Sequence, residues 1–447
     1  MGDMKRIIKI TLLLTGMMIY VVAFSPGVST GLTLDEAVAL ALKNNPNLQK
    51  QQLNQALSEE ELSGEKAQRF GRFDVIADYG HYNNPRTLIP LTPMAILGDP
   101  EAVPTTEDFF NTGIMYEVAL FTGFALQRSV EIAELEKEMA GAAFKLSQEQ
   151  LIYNVKTLYI NILSLKAHKK AQSEYYKALQ NLYRDITLRV KVGRNARVDQ
   201  LKAAADQESV RVKVRRTSGQ IKIMKTTLAV LLNTETIGTL EDSHMEMRAP
   251  DETRNNKNIY ALDRYRSTVL DLEKSTKLIE KSSSSYYPEV FLNGYYGLNF
   301  GPNDSSNVND GDWENEDVWQ VVVNLKWTLF DFGRRKSVKQ KAAILKQQSL
   351  KEQLTVELEL KRALEEAVVN IELALDDFHS AETELALTRE TESIEQLRYD
   401  KGAADINDLL YAKARNQVAI SRSIEARYSY QNSRFYLDYL LENGEKK

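Results

Sequence analysis

The chain has 447 residues, a formal net charge of −5, four histidines and no cysteine. Without cysteine there is no disulfide, no Cys-ligated zinc, no thiol nucleophile and no lipid anchor on an N-terminal cysteine. The acidic balance argues against nucleic acid as a partner, because phosphate binding needs a positive field.

Lys5, Arg6 and Lys9 precede an apolar run, Ile10 to Phe24, and the small residues Ser25, Gly27 and Ser29 follow. This layout predicts a secretory signal peptide over residues 1–29, with Pro26 moving the cut toward Ser29. The run is shorter than the roughly 20 apolar residues of a permanent spanning helix. No later stretch is long and apolar enough to span a bilayer as a helix.

Residues 34–69 read as a helix and Phe73–Tyr82 as a strand. Residues 83–108 hold five of the ten prolines and read as a hairpin loop. Ile114, Tyr116, Val118 and Leu120 then alternate with Gly113, Met115, Glu117 and Ala119, the period of a strand. Over 124–190, Leu151, Val155, Leu158, Ile162 and Leu165 are spaced 4, 3, 4, 3 with no proline. That is a heptad seam on one helix about 100 Å long. Gly193 marks a turn, 196–233 a half-length helix, and polar 234–257 a linker.

The second half repeats this order: helix 258–286, strand Pro288–Asn299, acidic loop 300–317, a strand from Trp319 to Leu329, a long helix 334–400, a turn at Gly402 and a helix 406–442. In the last strand Trp319, Val321, Val323, Leu325 and Trp327 occupy one face, with Gln320, Asn324 and Lys326 on the other. Leu120-Phe121 recurs as Leu329-Phe330, Gly193 with Asp199 as Gly402 with Asp408, and Leu228, Leu231 and Leu232 as Leu437, Leu440 and Leu441, each 209 residues on. One shared offset means tandem duplication, with repeats at 30–233 and 258–447.

The predicted fold is mixed α and β. Half-length helices stack end to end beside each long one, giving a coiled-coil rod that runs into antiparallel hairpins. Val321, Val323, Leu325, Trp327, Ile114, Tyr116 and Val118 are the expected lipid-facing positions, with Trp and Tyr placed as in the aromatic girdles of membrane barrels. Four strands cannot close a barrel, for which about eight is the minimum, and open edges are not tolerated in lipid. Several protomers therefore share one barrel, of 8, 12 or 16 strands on strand arithmetic alone.

Catalysis has no foothold: there is no HExxH pair, no Gly-rich phosphate loop and no G-x-S-x-G elbow. The chain is read as no enzyme, with no cofactor or metal. Asp304, Asp310, Asp312, Glu314, Glu316 and Asp317 lack the EF-hand spacing, so a solvated acidic loop is preferred to a calcium site. At the second turn, Asp405 is placed as an N-cap and Asp408 at the third helical position, where an acid suits the helix dipole.

Several motifs now fit one family. Leu32-Thr-Leu-Asp-Glu-Ala37 through Ala41-Leu-Lys-Asn-Asn-Pro46 opens the chain. Tyr-Tyr-Pro at 286–288 precedes a strand, Leu-Phe-Asp-Phe-Gly at 329–333 follows one, and Tyr399-x-x-Gly402 comes with Asp408. In order, spacing and duplication the chain resembles the TolC family of outer-membrane efflux proteins. The resemblance implies a homotrimer with a twelve-stranded barrel in outer-membrane lipid and a periplasmic helical tunnel. It also implies a periplasmic adaptor and an inner-membrane pump as partners. The function implied is a passive exit duct for pump-driven efflux or type I secretion. A secreted coiled-coil adhesion or structural protein is the alternative, and it leaves the matched hairpins unexplained.

By the same resemblance the far turns close the tunnel. Asp408 falls on a gate aspartate, Tyr399 on a linking tyrosine, and Asp199 on its first-half partner. Ala404 stands where the family has arginine and Tyr411 where it has a second aspartate, so Arg194 or Arg197 is left to supply the missing cation.

Overall fold

The computed structural model describes residues 31–98, 103–242, 247, 258–302 and 313–444. The expected signal peptide lies outside them, as do Asp304, Asp310 and Asp312 of the acidic loop.

Helix α1 (Leu34–Asn44) opens with a capping box, in which Thr33 and Glu36 each accept the other's backbone N–H. The single helix expected over 34–69 is two. Asn45 ends α1 in an extended conformation and caps α2 (Pro46–Ala67), accepting from Asn47 and Leu48 N–H. Pro46 has no N–H and forces the residue before it out of helical geometry, so it suits the first position of a new helix. Beyond the first hairpin run α4 (Ala125–Lys191) and α5 (Arg197–Leu232), and beyond the linker α6 (Asp263–Ser284), α7 (Arg334–Asp400) and α8 (Ile406–Leu440). A short α3 (Pro93–Leu97) lies in the first hairpin tip.

Both long helices, α4 and α7, have 67 residues, about 100 Å at 1.5 Å per residue. No described helix is long and apolar enough to cross a membrane. The heptad seam is buried at Leu151, Val155 and Ile162 of α4 and at Leu360, Ala367, Ile371 and Ala374 of α7. The half-length helices meet end to end, as their lengths required. Asn45 Nδ2 donates to Leu231 O (2.9 Å), joining the α1–α2 break to the end of α5. Just past α8, the Glu442 carboxylate accepts the backbone N–H groups of Asp263 (2.7 Å) and Arg264 (3.0 Å) and so caps α6.

Midway along α4, Tyr159 is fully buried. Its hydroxyl lies 2.7 Å from Leu32 O and 2.8 Å from Glu241 O, clasping the parallel bridge between Leu32 and Leu240. Burial pushes the Tyr159 hydroxyl up to about 12. Tyr159→Phe is expected to cost about 1–2 kcal/mol, because it removes a donor from the half-buried Leu32 and Glu241 carbonyls, of which Leu32 O keeps the Glu241 N–H. Chemical denaturation of the purified protein would show it, and an unchanged midpoint would mean that water replaces the hydroxyl.

The four strands form one antiparallel sheet in the order β1 (Arg72–Thr87), β2 (Thr105–Phe121), β3 (Glu289–Pro302), β4 (Trp313–Lys326). They run further than the sequence predicted, so the hairpin tips shrink from 83–108 and 300–317 to 88–104 and 303–312. Glu314, Glu316 and Asp317 thus belong to a strand, not a loop. At the other end β4 stops before Trp327, whose indole N–H donates to Tyr286 O (3.2 Å). Asp331 then accepts the N–H groups of Gly333 and Arg335 and turns the chain into α7. The Arg335 guanidinium returns to that carboxylate at 2.9 Å.

Candidate functional site

Two surfaces carry chemistry, one at each end of the rod. At the sheet, cross-strand register sorts the side chains. Val75, Ile114, Tyr296 and Trp319 make one row, Phe73, Tyr116, Gly294 and Val321 the next, and Val118, Leu292 and Val323 a third. Side chains directly across an antiparallel pair share a face, so all the predicted lipid-facing strand residues fall on one side. Val321 and Val323 are 63% and 61% exposed, values that ordinary folding would not leave to aliphatic side chains. Trp327 lies one residue beyond β4, at the junction with the helices. The other face carries Asp74, Asp78, Glu117, Asn293, Gln320 and Asn324. There Asn111 donates to Tyr295 Oη and to Asn299 Oδ1, both at 2.8 Å.

At the far end, Gly193 and Gly402 adopt φ of 76° and 74°. A Cβ at either would meet nothing within 4 Å, so the left-handed backbone, not space, selects glycine. The two turns are hydrogen-bonded alike: Arg194 N–H to Arg189 O and Ala403 N–H to Arg398 O, both 2.8 Å. Asp405 caps α8, accepting from Asn407 N–H (2.7 Å) and Asp408 N–H (3.0 Å). The Asp408 N–H holds the Asp405 carboxyl below its usual range. Ala196 occupies the equivalent place before α5 and offers no side-chain cap.

Tyr399 is buried among Leu179, Leu182, Ile186, Leu409 and Leu410. Its hydroxyl makes no hydrogen bond to Asp199, whose carboxylate instead accepts from Asn195 Nδ2 at 3.1 Å. Burial raises the Tyr399 hydroxyl, Arg189 pulls the other way, and Asp185 and Asp199 add to the rise. The direct Tyr399–Asp199 link implied by resemblance is therefore absent within one chain. The cation beside Tyr399 is neither Arg194 nor Arg197, both exposed, but Arg189, whose guanidinium stacks 4.9 Å above the ring. Arg189 and Arg398 each stand four residues before a turn glycine, a duplicated signal that sequence reading passed over. Lys202 of α5 also donates to Asn407 of α8 at 2.8 Å and ties the two turns together.

Asp408 and Tyr411 line an open groove between α7 and α8, with Arg398 and Arg415. A tip so built holds exposed carboxylates beside paired helix starts. Because the Tyr399 hydroxyl gives nothing to Asp199, Tyr399→Phe should leave the thermal midpoint unchanged or slightly raised. A drop worth more than about 1 kcal/mol, the usual value of a lost hydrogen bond, would reveal a partner supplied on assembly.

The fold recurs in solved outer-membrane channels. The Campylobacter jejuni CmeC channel superposes with a TM-score of 0.77 at 16% identity, over 94% of this chain and 90% of that one. VceC of Vibrio cholerae gives 0.76 at 14% identity, over 92% and 96%. The open state of MtrE from Neisseria gonorrhoeae gives 0.75 at 16%, over 92% and 89%. No curated protein matches the chain in sequence. The sequence model of the outer membrane efflux protein family matches residues 37–234 and again 266–441, well over half of the chain. With a four-stranded sheet and paired long helices in the arrangement of those channels, the chain belongs to the outer membrane efflux protein family.

Proposed function

We propose that three copies of this chain close one barrel of twelve strands and stack their helices into a tunnel beneath it. The observation that carries this is a sheet of only four strands, apolar and exposed on one face, with β1 and β4 as unpaired edges. In hydrocarbon each unsatisfied edge N–H and C=O costs several kcal/mol, so the edges must meet those of other copies. The polar face, with Asn111, Asn293 and Asn324, then lines a water-filled lumen.

The assembly serves as a passive outer-membrane exit duct, fed by an inner-membrane pump through a periplasmic adaptor in efflux or type I secretion. At its periplasmic tip, Asp408 and Tyr411 line the mouth. Asp199, Tyr399, Asp405 and the Gly193 and Gly402 turns hold that mouth's shape, and Arg194 and Arg197 lie exposed beside it. Native mass measurement in detergent tests the stoichiometry: three chain masses are expected, and two or four would overturn the shared barrel as drawn.

A further inference from the structure

The chain carries within itself a pattern for how copies meet. Helices α2 and α6 both have 22 residues and both run into a strand, while α4 and α7 both have 67 and both leave one. Matched end to end, each residue of α2 has a counterpart 217 later in α6 (Pro46 with Asp263). Each residue of α4 has one 209 later in α7 (Ala125 with Arg334).

Where β2 pairs with β3, α4 lies on α6, and their seam is a ladder of ion pairs. Arg128–Glu280 is 2.9 Å, Lys277–Glu131 3.0 Å, Lys274–Glu136 3.8 Å and Arg266–Glu138 3.0 Å. The same step taken once more sets β4 against β1 of a second copy, and therefore α7 against that copy's α2.

Carried across that step, these four rungs become matched pairs, and the fifth, Lys145–Asp263 at 3.6 Å, becomes Leu354 with Pro46. Arg128–Glu280 becomes Ser337 with Ser63, and Arg266–Glu138 becomes Gln49 with Gln347. Lys274–Glu136 becomes Leu57 with Leu345, and Lys277–Glu131 becomes Glu60 with Gln340, flanked by Lys339 and Lys341. All eight residues of the four matched pairs are exposed in the single chain, Leu57 by 57% and Leu345 by 39%. Four independent rungs agreeing in polarity is what a buried seam requires, and a solvent face has no reason to supply it.

We infer that α7 of one copy docks on α2 of the next through this seam, with Leu345 on Leu57 at its apolar centre and Glu60 held by Lys339 and Lys341. The inference rests on the shared-barrel reading and adds the residues that choose the neighbour. One further feature fits it. The charge balance differs between seams: inside the chain both helices carry both signs, whereas between copies α7 from Arg334 to Lys346 is basic without an acid and meets Glu60 and Glu61 of α2.

The chain has no cysteine of its own, so a Leu57→Cys/Leu345→Cys variant reports cleanly. Mild oxidation in membranes should give chains linked up to trimers on a denaturing gel, and neither single variant should link to that size. Within one chain the two sites adjoin opposite sheet edges, β1 and β4, so the link is between copies. A wild-type trimer by native mass whose double variant fails to link would overturn this seam. A wild type that is no trimer would instead overturn the shared barrel. Glu60→Lys and Lys339→Glu/Lys341→Glu should each lower the trimer yield several-fold at low salt, and their combination should restore it. A combination as poor as either alone would assign those cations to another partner, such as lipid headgroups, and end the ionic part of the inference.

Discussion

Val323→Lys should cost the assembled channel about 2–4 kcal/mol, the range for a cation on the lipid face of a barrel near the bilayer midplane. Val323 is 61% exposed and lies in the row Val118–Leu292–Val323. It stands halfway between Trp319 and Trp327. Those two are eight residues apart, about 27 Å along a strand at 3.4 Å per residue. Tilted as barrel strands are, that spacing is near the ~25 Å apolar band between aromatic girdles, which puts Val323 at its centre. Asn324→Lys, one residue on, points to the polar face and should assemble with wild-type stability. Denaturant melts of the detergent-purified oligomer separate the two. Equal losses from both would mean that neither face meets lipid, and the barrel would be wrong.

Periodic features were legible because they depend on neighbours in sequence. The heptad seam of α4 is buried at Leu151, Val155 and Ile162, the alternation of β4 holds, and α4 and α7 keep the 209-residue offset, while α2 and α6 are 217 apart. The strand ends were not legible. Asn83, Asn84 and Pro85 read as part of the 83–108 hairpin loop, yet they lie within β1, where the ladder shifts register between His81 and Arg86. A proline is tolerated there because β1 is an edge strand and the irregular register needs no N–H from it.

The tip divides in the same way. The Asp405 cap was visible, being local and set by a side chain that reaches its own helix. The stacking of Arg189 on Tyr399 joins residues from different halves of the chain, and no spacing rule announces it. The link expected from resemblance, Tyr399 to Asp199, is not made within one chain: the Tyr399 hydroxyl meets no hydrogen-bond partner among the described residues, and the Asp199 carboxylate accepts from Asn195.

Asp408→Ala is expected to lower the channel's cation selectivity several-fold and weaken block by multivalent cations, while the trimer survives. Asp405, not Asp408, accepts the N–H bonds that start α8. Among the described residues the Asp408 carboxylate meets no hydrogen-bond donor, and it is exposed. Three copies around one axis would form a ring of negative charge in a narrow mouth. Such a ring attracts cations and disfavours full ionisation of its members. Arg398, which is paired with Glu395 at 2.7 Å, and Arg415 line the same groove and moderate that field without an ion pair to Asp408 in the single chain. With Ala404 supplying no cation across the turn, the ring in the proposed trimer would govern what passes more than whether the mouth opens. Asp405→Ala is the control: it removes the cap, so the tip should melt earlier while selectivity stays at the wild-type value. Planar-bilayer recordings decide between the roles. Unchanged selectivity in Asp408→Ala would reduce Asp408 to a helix-start residue favoured by the dipole, and the constriction would then have to lie at another level of the tunnel.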